Sequence, residues 1–103
     1  LLERGVTAII TGSDLQALGA IRTIFSLGLS VPGDVSVIGF DDTFLMSHLD
    51  PALTTIHQPV QSIVASAVRA LFEALNTADY VPTHADYVFS PDLIVRGSTG
   101  HVR

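Results

Sequence analysis

The apolar residues of the first 40 positions fall into two short runs separated by one long amphipathic stretch. The run from Val6 to Thr11, VTAIIT, is β-branched and apolar without alternation, which predicts a strand covered on both faces. Residues 14–27 repeat apolar side chains at helical spacing, and Val35 to Phe40 form a second apolar run after the turn sequence at 31–34. A strand, a helix and a strand in this order predict two parallel strands joined by a right-handed crossover.

The predicted helix at 14–27 is apolar over a wider arc than contact with one face of a sheet requires. Its apolar residues are Leu15, Ala17, Leu18, Ala20, Ile21, Ile24, Phe25 and Leu27. This width indicates a second partner surface. Two alternatives remain open, namely burial inside a larger domain and an interface between subunits.

The remainder of the chain predicts one strong helix among weaker elements. Thr43 to Pro51 predicts a brief helix or a loop, and Leu53 to Pro59 predicts an edge strand or a hinge because it ends in proline. Val60 to Asn76 repeats apolar residues at steps of three and four, which predicts a helix with one buried and one solvated face. Residues 77–86 predict a loop, and Tyr87 to Val95, which a proline interrupts, predict two short extended pieces.

The composition indicates that this segment lacks part of its own packing surface. Apolar residues make up 48% of the 103 positions and charged residues 15%, which is a low charged fraction for a small soluble domain. The chain also opens on LLERG, which predicts the end of a helix at Gly5. We therefore expect some of the apolar surface to meet protein outside this segment.

The charge balance argues against a nucleic-acid surface. The net charge is −5, there is no lysine, and the five cations are spread along the chain at Arg4, Arg22, Arg69, Arg96 and Arg103, whereas phosphate binding needs clustered positive charge. The absence of cysteine excludes disulfides and thiolate chemistry and is compatible with the cytoplasm. No apolar run reaches the roughly 20 residues of a membrane span, so we expect no membrane partner.

Polar side chains follow both predicted strands at the ends where parallel α/β sheets bind ligands. Ser13 and Asp14 follow the first strand, and the second ends at Phe40, Asp41 and Asp42. If the strands are neighbours, Ser13 and Asp41 point into one crevice beside the ring of Phe40. A carboxylate, a hydroxyl and an aromatic ring suit a polyhydroxylated or amide-bearing small molecule. The alternative is that Ser13 and Asp42 cap the helices that follow them.

Catalytic and metal chemistry find little support in the sequence. Paired acids at a strand end also occur in phosphoryl-transfer receiver domains, but those sites need a lysine, which this chain lacks. A weak magnesium site held by carboxylates alone stays open. The histidines, at His48, His57, His84 and His101, have no metal-ligand spacing and are expected to be surface or interface residues. Nucleophile-elbow, P-loop and dinucleotide motifs are absent, so the sequence predicts no catalytic residue, no metal and no cofactor.

Three segments carry a resemblance to a known family. They are VPGDVSVIGFDD at 31–42, PALTT with the following Q-P at 51–59, and LIVRGST at 93–99. With TAIITGSDLQALGAIRTIFSLGLS before them, they resemble, in order and spacing, the carboxyl-terminal part of LacI/GalR-type bacterial transcription regulators. The resemblance covers Thr7 to Thr99.

This resemblance implies an α/β, parallel-sheet, periplasmic-binding-protein-like type I fold, incomplete in this segment, with two subdomains hinged around an effector. Residues 1–55 would belong to the carboxyl-terminal subdomain and 56–59 to a hinge crossing. Residues 60–87 would belong to the amino-terminal subdomain, and 88–103 to the crossing back and the tail. Most of the amino-terminal subdomain, and the helix-turn-helix head through which the family binds operator DNA, are then expected outside this segment.

The resemblance also implies roles for individual residues. The effector-contacting aspartate of the family corresponds to Asp41. Ser13 stands where the family commonly has asparagine, Val60 stands where some members place an aromatic side chain on the effector, and Phe40 completes the predicted effector-binding set. The family's dimer contacts correspond to Leu18, Ile21, Arg22, Phe25, Leu45, His48 and Leu49.

The sequence therefore predicts a cytoplasmic, homodimeric, non-enzymatic transcription regulator that senses a sugar-like or nucleobase-like small molecule. The alternative is a periplasmic sugar-binding protein of an importer, which shares the fold and the cleft but acts as a monomer. A catalytic α/β domain is a third possibility, and it needs a base or a metal that this sequence does not supply. The broad apolar helix favours self-association and hence the regulator.

Overall fold

The computed structural model describes residues 1–82 and 85–102 of the chain. Thr83 and His84 in the predicted loop, and the last arginine, Arg103, lie outside the described residues. The elements follow in chain order: a 3-10 helix at Leu2–Arg4, β1 at Ala8–Ile10, α1 at Asp14–Ser26, β2 at Ser36–Ile38, a 3-10 helix at Phe44–His48, β3 at Thr55–His57, α2 at Val60–Asn76 and β4 at Asp92–Ile94.

The predicted unit of strand, helix and parallel strand is confirmed. β1 and β2 are parallel, with Ala8 opposite Ser36 and Ile10 opposite Ile38. One more hydrogen bond joins the two segments beyond the paired residues: the Thr11 N–H donates to the carbonyl oxygen of Ile38 at 2.9 Å. Each strand is shorter than its apolar run, since hydrogen-bond pairing and not apolar character decides where a strand ends.

The sheet extends beyond the two predicted strands through a parallel bridge. Ile38 pairs with Thr54 in parallel, and the Gly39 N–H donates to the Thr54 carbonyl oxygen at 2.9 Å, which connects β2 to β3. β4 then pairs with β3 in antiparallel fashion, with Ile56 opposite Leu93. The parallel sheet predicted from the sequence therefore gains an antiparallel edge strand.

Of the two extended pieces predicted in Tyr87 to Val95, one forms a strand. Asp92–Ile94 forms β4, whereas residues 87–91 have no regular secondary structure. An extended segment becomes a strand only when its backbone groups find a ladder partner, and within the described residues β3 offers that partner to β4 alone.

The hydrophobic core forms around one face of α1 and the second strand. Its buried side chains are Ala17, Ile21 and Ile24 of α1 together with Val31, Val35, Val37, Met46 and Leu53. The other side of α1 exposes Leu15, Leu18 and Phe25. This side of α1 is therefore left exposed by the described residues, and the partner that the sequence predicts for it stays a prediction.

The chain divides into two compact units. One comprises Leu1–His57 and Asp92–Arg103, and the other comprises Gln58–Pro91. The second unit carries α2, which follows the predicted bounds, but none of its 17 residues is buried. The expected buried face of α2 is thus wrong for this chain, because the described part of that unit has no second layer to pack against the helix. Neither α1 nor α2, nor the short helices of the described chain, is long and apolar enough to span a membrane.

Gly39 marks a close approach of backbones at the end of β2. A Cβ at this position would overlap Oδ1 of Asp14 and come within 2.8 Å of Cδ2 of the fully buried Leu53. We expect Gly39→Ala to lower the free energy of unfolding by about 1–3 kcal/mol, the usual cost of overpacking, as measured by denaturant unfolding of the intact protein.

Gly19→Ala is the matched control for this substitution. Gly19 lies in the middle of α1, and a Cβ there meets no atom within 4 Å. Because glycine disfavours a helix interior, we expect Gly19→Ala to be neutral or to stabilise by up to about 1 kcal/mol. Equal destabilisation by the two substitutions would contradict the close approach at Gly39.

Candidate functional site

The carboxyl ends of β1 and β2 meet at the start of α1. The Asp14 N–H donates to the carbonyl oxygen of Phe40 at 3.0 Å, so these two backbones are in direct contact. Ser13 precedes the first of these residues and Asp41 follows the second. The structure therefore brings the backbones of the two predicted strand ends to one point of the sheet edge.

Ser13 begins α1 as its N-cap. Its hydroxyl oxygen accepts a hydrogen bond from the Gln16 N–H at 3.2 Å, and the Gln16 side chain accepts from the Gly12 N–H at 3.0 Å. The capping alternative is thus confirmed for Ser13. This cap uses one lone pair of a group that has two lone pairs and a donor, so capping and ligand binding are compatible.

The two adjacent acids occupy an unusual backbone conformation. Asp41 has φ 107° and Asp42 has φ 53°, a region that costs residues other than glycine on the order of 1–3 kcal/mol each. Their N–H groups hold the loop to β3: Asp41 donates to the Ile56 carbonyl oxygen at 2.9 Å, and Asp42 donates to Thr55 Oγ1 at 3.3 Å. Backbone outliers of this kind concentrate at ligand sites.

The side chains of the two acids differ in their surroundings. Asp41 is exposed, whereas the Asp42 side chain is only 18% exposed and is bound on both oxygens. Arg96 Nη2 donates to Asp42 Oδ1 at 2.8 Å, and His57 Nδ1 lies 3.0 Å from Asp42 Oδ2. The alternative that Asp42 caps the next helix is wrong, because these two partners take its oxygens and the short helix at Phe44–His48 has no side-chain cap.

The charge on Asp42 is stabilised by its neighbours. The hydrogen bond from Arg96 is the largest influence and lowers the pKa of the Asp42 carboxyl below its usual value; the charge of Arg96 and the contact with His57 act in the same direction. Partial burial opposes this shift but does not cancel it. Asp42 is therefore an anion held in place, with little capacity left to bind a ligand.

A further carboxylate, that of Asp14 in α1, holds the segment that follows the acid pair. Asp14 is 2% exposed; its Oδ1 accepts from the Thr55 hydroxyl at 2.7 Å, and its Oδ2 accepts from the Thr43 N–H at 2.6 Å. Its position in the first turn of α1 also favours a negative charge. This carboxylate joins α1, β3 and the segment after the acid pair.

Arg96 is an organising residue that the sequence analysis did not assign. Its Nη1 donates to the Leu53 carbonyl oxygen at 3.0 Å, and its backbone N–H donates to Thr54 Oγ1 at 2.9 Å. Ser98, in the same LIVRGST segment, donates to the Val37 carbonyl oxygen at 2.6 Å. A cation directly after the apolar residues Leu93 to Val95 was the available signal, since such a residue usually has a partner.

The remaining predicted effector residues lie in both units. Phe40 is partly buried at the end of β2, and Val60 is the first residue of α2 in the second unit, with 57% of its surface exposed. The proposed effector set therefore stays a prediction. Within residues 1–82 and 85–102, no group of three histidine or acidic side chains is arranged to hold a metal ion.

Five of the seven predicted dimer residues line one concave surface of about 270 Å³. They are Leu18, Ile21, Arg22, Phe25 and Leu49, and Asp50 and Pro51 complete the lining. Ile21 is 5% exposed and belongs to the core, so it forms the floor of this concavity. Leu45 and His48 lie on the short helix at Phe44–His48, where both are exposed.

The fold is of the α/β class in which ligands commonly meet the carboxyl ends of parallel strands. A family model described as a periplasmic binding protein-like domain matches residues 2–99. The chain belongs to this family.

The curated relatives are transcription regulators. The chain is 50% identical over 99 residues to an uncharacterized HTH-type transcriptional regulator in the aml 5′ region of Streptomyces limosus, and 48% identical over 99 residues to the HTH-type transcriptional regulator MalR of Streptomyces coelicolor. Each match covers 96% of this chain and 28% of the relative. The chain thus spans less than a third of the length of these relatives.

Solved structures agree with this assignment. The CelR–cellobiose complex superposes with a TM-score of 0.80 at 32% identity, over 92% of this chain and 28% of that one. A LacI family regulator from Lactobacillus casei with bound sucrose gives a TM-score of 0.75 at 32% identity, over 90% and 33%. The predicted resemblance to LacI/GalR-type regulators is confirmed, and these relatives favour the regulator over the importer.

The lowered pKa of Asp42 predicts a specific dependence of stability on pH. In the unfolded chain an aspartate titrates near pH 3.9, and in the folded protein Asp42 titrates lower, so its contribution to stability is complete above about pH 4 and is lost as the pH falls through the folded value. We expect Asp42→Asn to be less stable than wild type at pH 5, with a difference that shrinks below pH 4. Denaturant unfolding between about pH 2 and 6 measures this, and a difference already absent at pH 5 would contradict the stabilisation of ionised Asp42 by Arg96 and His57.

Proposed function

We propose that this chain is the effector-sensing and dimerising part of a LacI-type transcription regulator that acts in the cytoplasm and has no enzymatic activity. The relatives' printed names support regulation, and the 28% coverage of their length supports further domains elsewhere in the protein. Operator DNA would be bound by a head domain outside these residues. The net charge of −5 agrees with a segment that does not itself contact DNA.

The proposed effector is a sugar, and the observation that carries this proposal is the exposed Asp41 on a positive-φ loop at the carboxyl end of β2. An ionised carboxylate accepts hydrogen bonds from sugar hydroxyls, and the Ser13 hydroxyl, at the end of the neighbouring strand, offers both a donor and an acceptor. Phe40 and Val60 would supply apolar contacts. Cellobiose and sucrose in two similar structures favour a sugar over a nucleobase.

Effector binding would act by changing the relative closure of two subdomains. The boundary between the compact units after His57 falls inside the predicted hinge crossing at 56–59, and the return at Asp92 falls within the predicted crossing back. These positions support the proposed assignment of 1–55 and 60–87 to different subdomains. The sugar shifts the equilibrium only by its different affinity for the two closures.

The dimer would form through the concave surface beside α1. A two-fold interface must be self-complementary, and this surface combines the apolar Leu18, Phe25 and Leu49 with the opposite charges of Arg22 and Asp50. Leu45 and His48 extend the same proposal onto the neighbouring short helix. Phe25 has 45% of its surface exposed, and covering such apolar side chains with a second copy would stabilise the dimer.

Removing the carboxylate of Asp41 tests the proposed sensing role. We expect Asp41→Ala in the intact protein to weaken sugar binding roughly 10- to 100-fold, because hydrogen bonds to a charged group are lost, and to leave operator binding intact. Isothermal calorimetry with cellobiose, sucrose and further disaccharides, with operator binding measured in parallel, provides the readout.

Asp79→Ala is the control for Asp41→Ala. Asp79 is another exposed aspartate with positive φ, at 59°, so its replacement matches the loss of charge and the change of a strained backbone position. We expect its sugar affinity to equal that of wild type. Unchanged affinity in Asp41→Ala, or an equal loss in both variants, would refute the assignment.

Two charges placed in the apolar concavity test the dimer. We expect Leu18→Asp with Leu49→Asp to give monomers in analytical ultracentrifugation, because the two carboxylates would be buried without partners. Leu27→Asp serves as the control, since Leu27 is 61% exposed at the end of α1 but lines a different concavity. A dimer that survives the double substitution would contradict this interface.

A further inference from the structure

Two adjacent acids follow β2, and their contacts give them different tasks. Both oxygens of Asp42 are engaged, one by Arg96 and one by His57, while the Asp41 side chain is exposed. Both residues nevertheless share one backbone turn with positive φ. A single peptide unit joins these two strained positions.

We infer that Asp42, held by Arg96 and His57, is a positioning residue that fixes the carboxylate of Asp41 in its effector-binding orientation; this inference rests on the proposed function of Asp41. We name the contacts of Asp42 with Arg96 and His57 the Asp42 clamp. A left-handed conformation relaxes unless surrounding contacts determine it. The clamp adds side-chain contacts from β3 and from the segment after β4 to the backbone bonds that hold this turn.

Arg96 is held in position by hydrogen bonds other than the one to Asp42. Its guanidinium also donates to the Leu53 carbonyl oxygen, its backbone N–H donates to the Thr54 hydroxyl, and its side chain is only 19% exposed. A planar guanidinium with fixed neighbours holds a carboxylate in one orientation better than a mobile cation would. Arg96 thus helps to determine where Asp42 lies.

His57 connects the clamp to the strand that leaves the first unit. It is the last residue of β3, its side chain is 51% exposed, and Gln58 begins the second unit. The loop that carries Asp41 is therefore bonded to the residue directly before the chain leaves this unit. The Asp41 N–H adds a backbone bond to the Ile56 carbonyl oxygen, one residue earlier.

Hydrogen exchange of the Asp41 amide in the intact protein tests the clamp without a ligand. We expect exchange about tenfold faster in Asp42→Asn and in His57→Ala, the change that corresponds to the loss of one hydrogen bond to a charged group. His57→Gln keeps an N–H donor and should restore the wild-type rate. His101→Ala, which removes an exposed histidine that has no part in the clamp, is the matched control.

Arg96 is unsuited to this test, because its replacement also removes the bond to Leu53 and would affect folding. An Asp41 amide that exchanges at the wild-type rate in Asp42→Asn would overturn the inference. So would His57→Gln exchanging as fast as His57→Ala, because a general loss of structure is not repaired by one donor.

A double-mutant cycle with cellobiose and sucrose as probes tests the consequence for binding. We expect Asp42→Asn to weaken binding about tenfold in the wild-type background and less than about twofold in Asp41→Asn, because Asp42 acts through Asp41. Equal losses in both backgrounds would mean that Asp42 serves the sugar independently, which contradicts the inference. If the wild-type protein binds none of the disaccharides in the calorimetric series, the proposed sugar-sensing function fails, while the exchange measurement still decides the clamp.

Discussion

The buried carboxylate of Asp14 is the contact on which the strand-end site depends. A charge with 2% exposure would cost several kcal/mol without donors, and its two donors are the Thr55 hydroxyl and the Thr43 N–H. These bonds tie the start of α1 to β3 and to the segment after the acid pair. Gly39 leaves the space in which the carboxylate lies.

The two adjacent aspartates, Asp41 and Asp42, have different surroundings and are proposed to have different roles. Asp42 is enclosed by a guanidinium and an imidazole, which stabilise its charge and remove its oxygens from other use. Asp41 remains at the surface of the same turn. Such a division allows a binding group to stay exposed without losing a defined position, because a neighbour one peptide away supplies the contacts that hold it.

Large apolar side chains are exposed on both helices of this chain. The outer side of α1 and the whole of α2 expose leucine, valine and phenylalanine side chains, more than an isolated small domain keeps in water. The chain spans 28% of the length of its curated relatives, so protein beyond these residues is the expected cover for α2 in the proposed regulator. The concavity beside α1 is the surface that a second copy would cover.

The sequence alone determined the elements whose signals are local. Apolar spacing predicted α1 and α2 to within one residue, and VTAIIT and VSVIGF predicted two parallel strands, because periodicity and turn residues act over a few positions. The family resemblance had assigned the effector contact to Asp41, but only the tertiary structure showed what holds Asp42, since its partner Arg96 lies 54 residues away along the chain. The antiparallel β4 and the uncovered face of α2 depended likewise on which distant segment supplies a partner, and no local pattern contains that information.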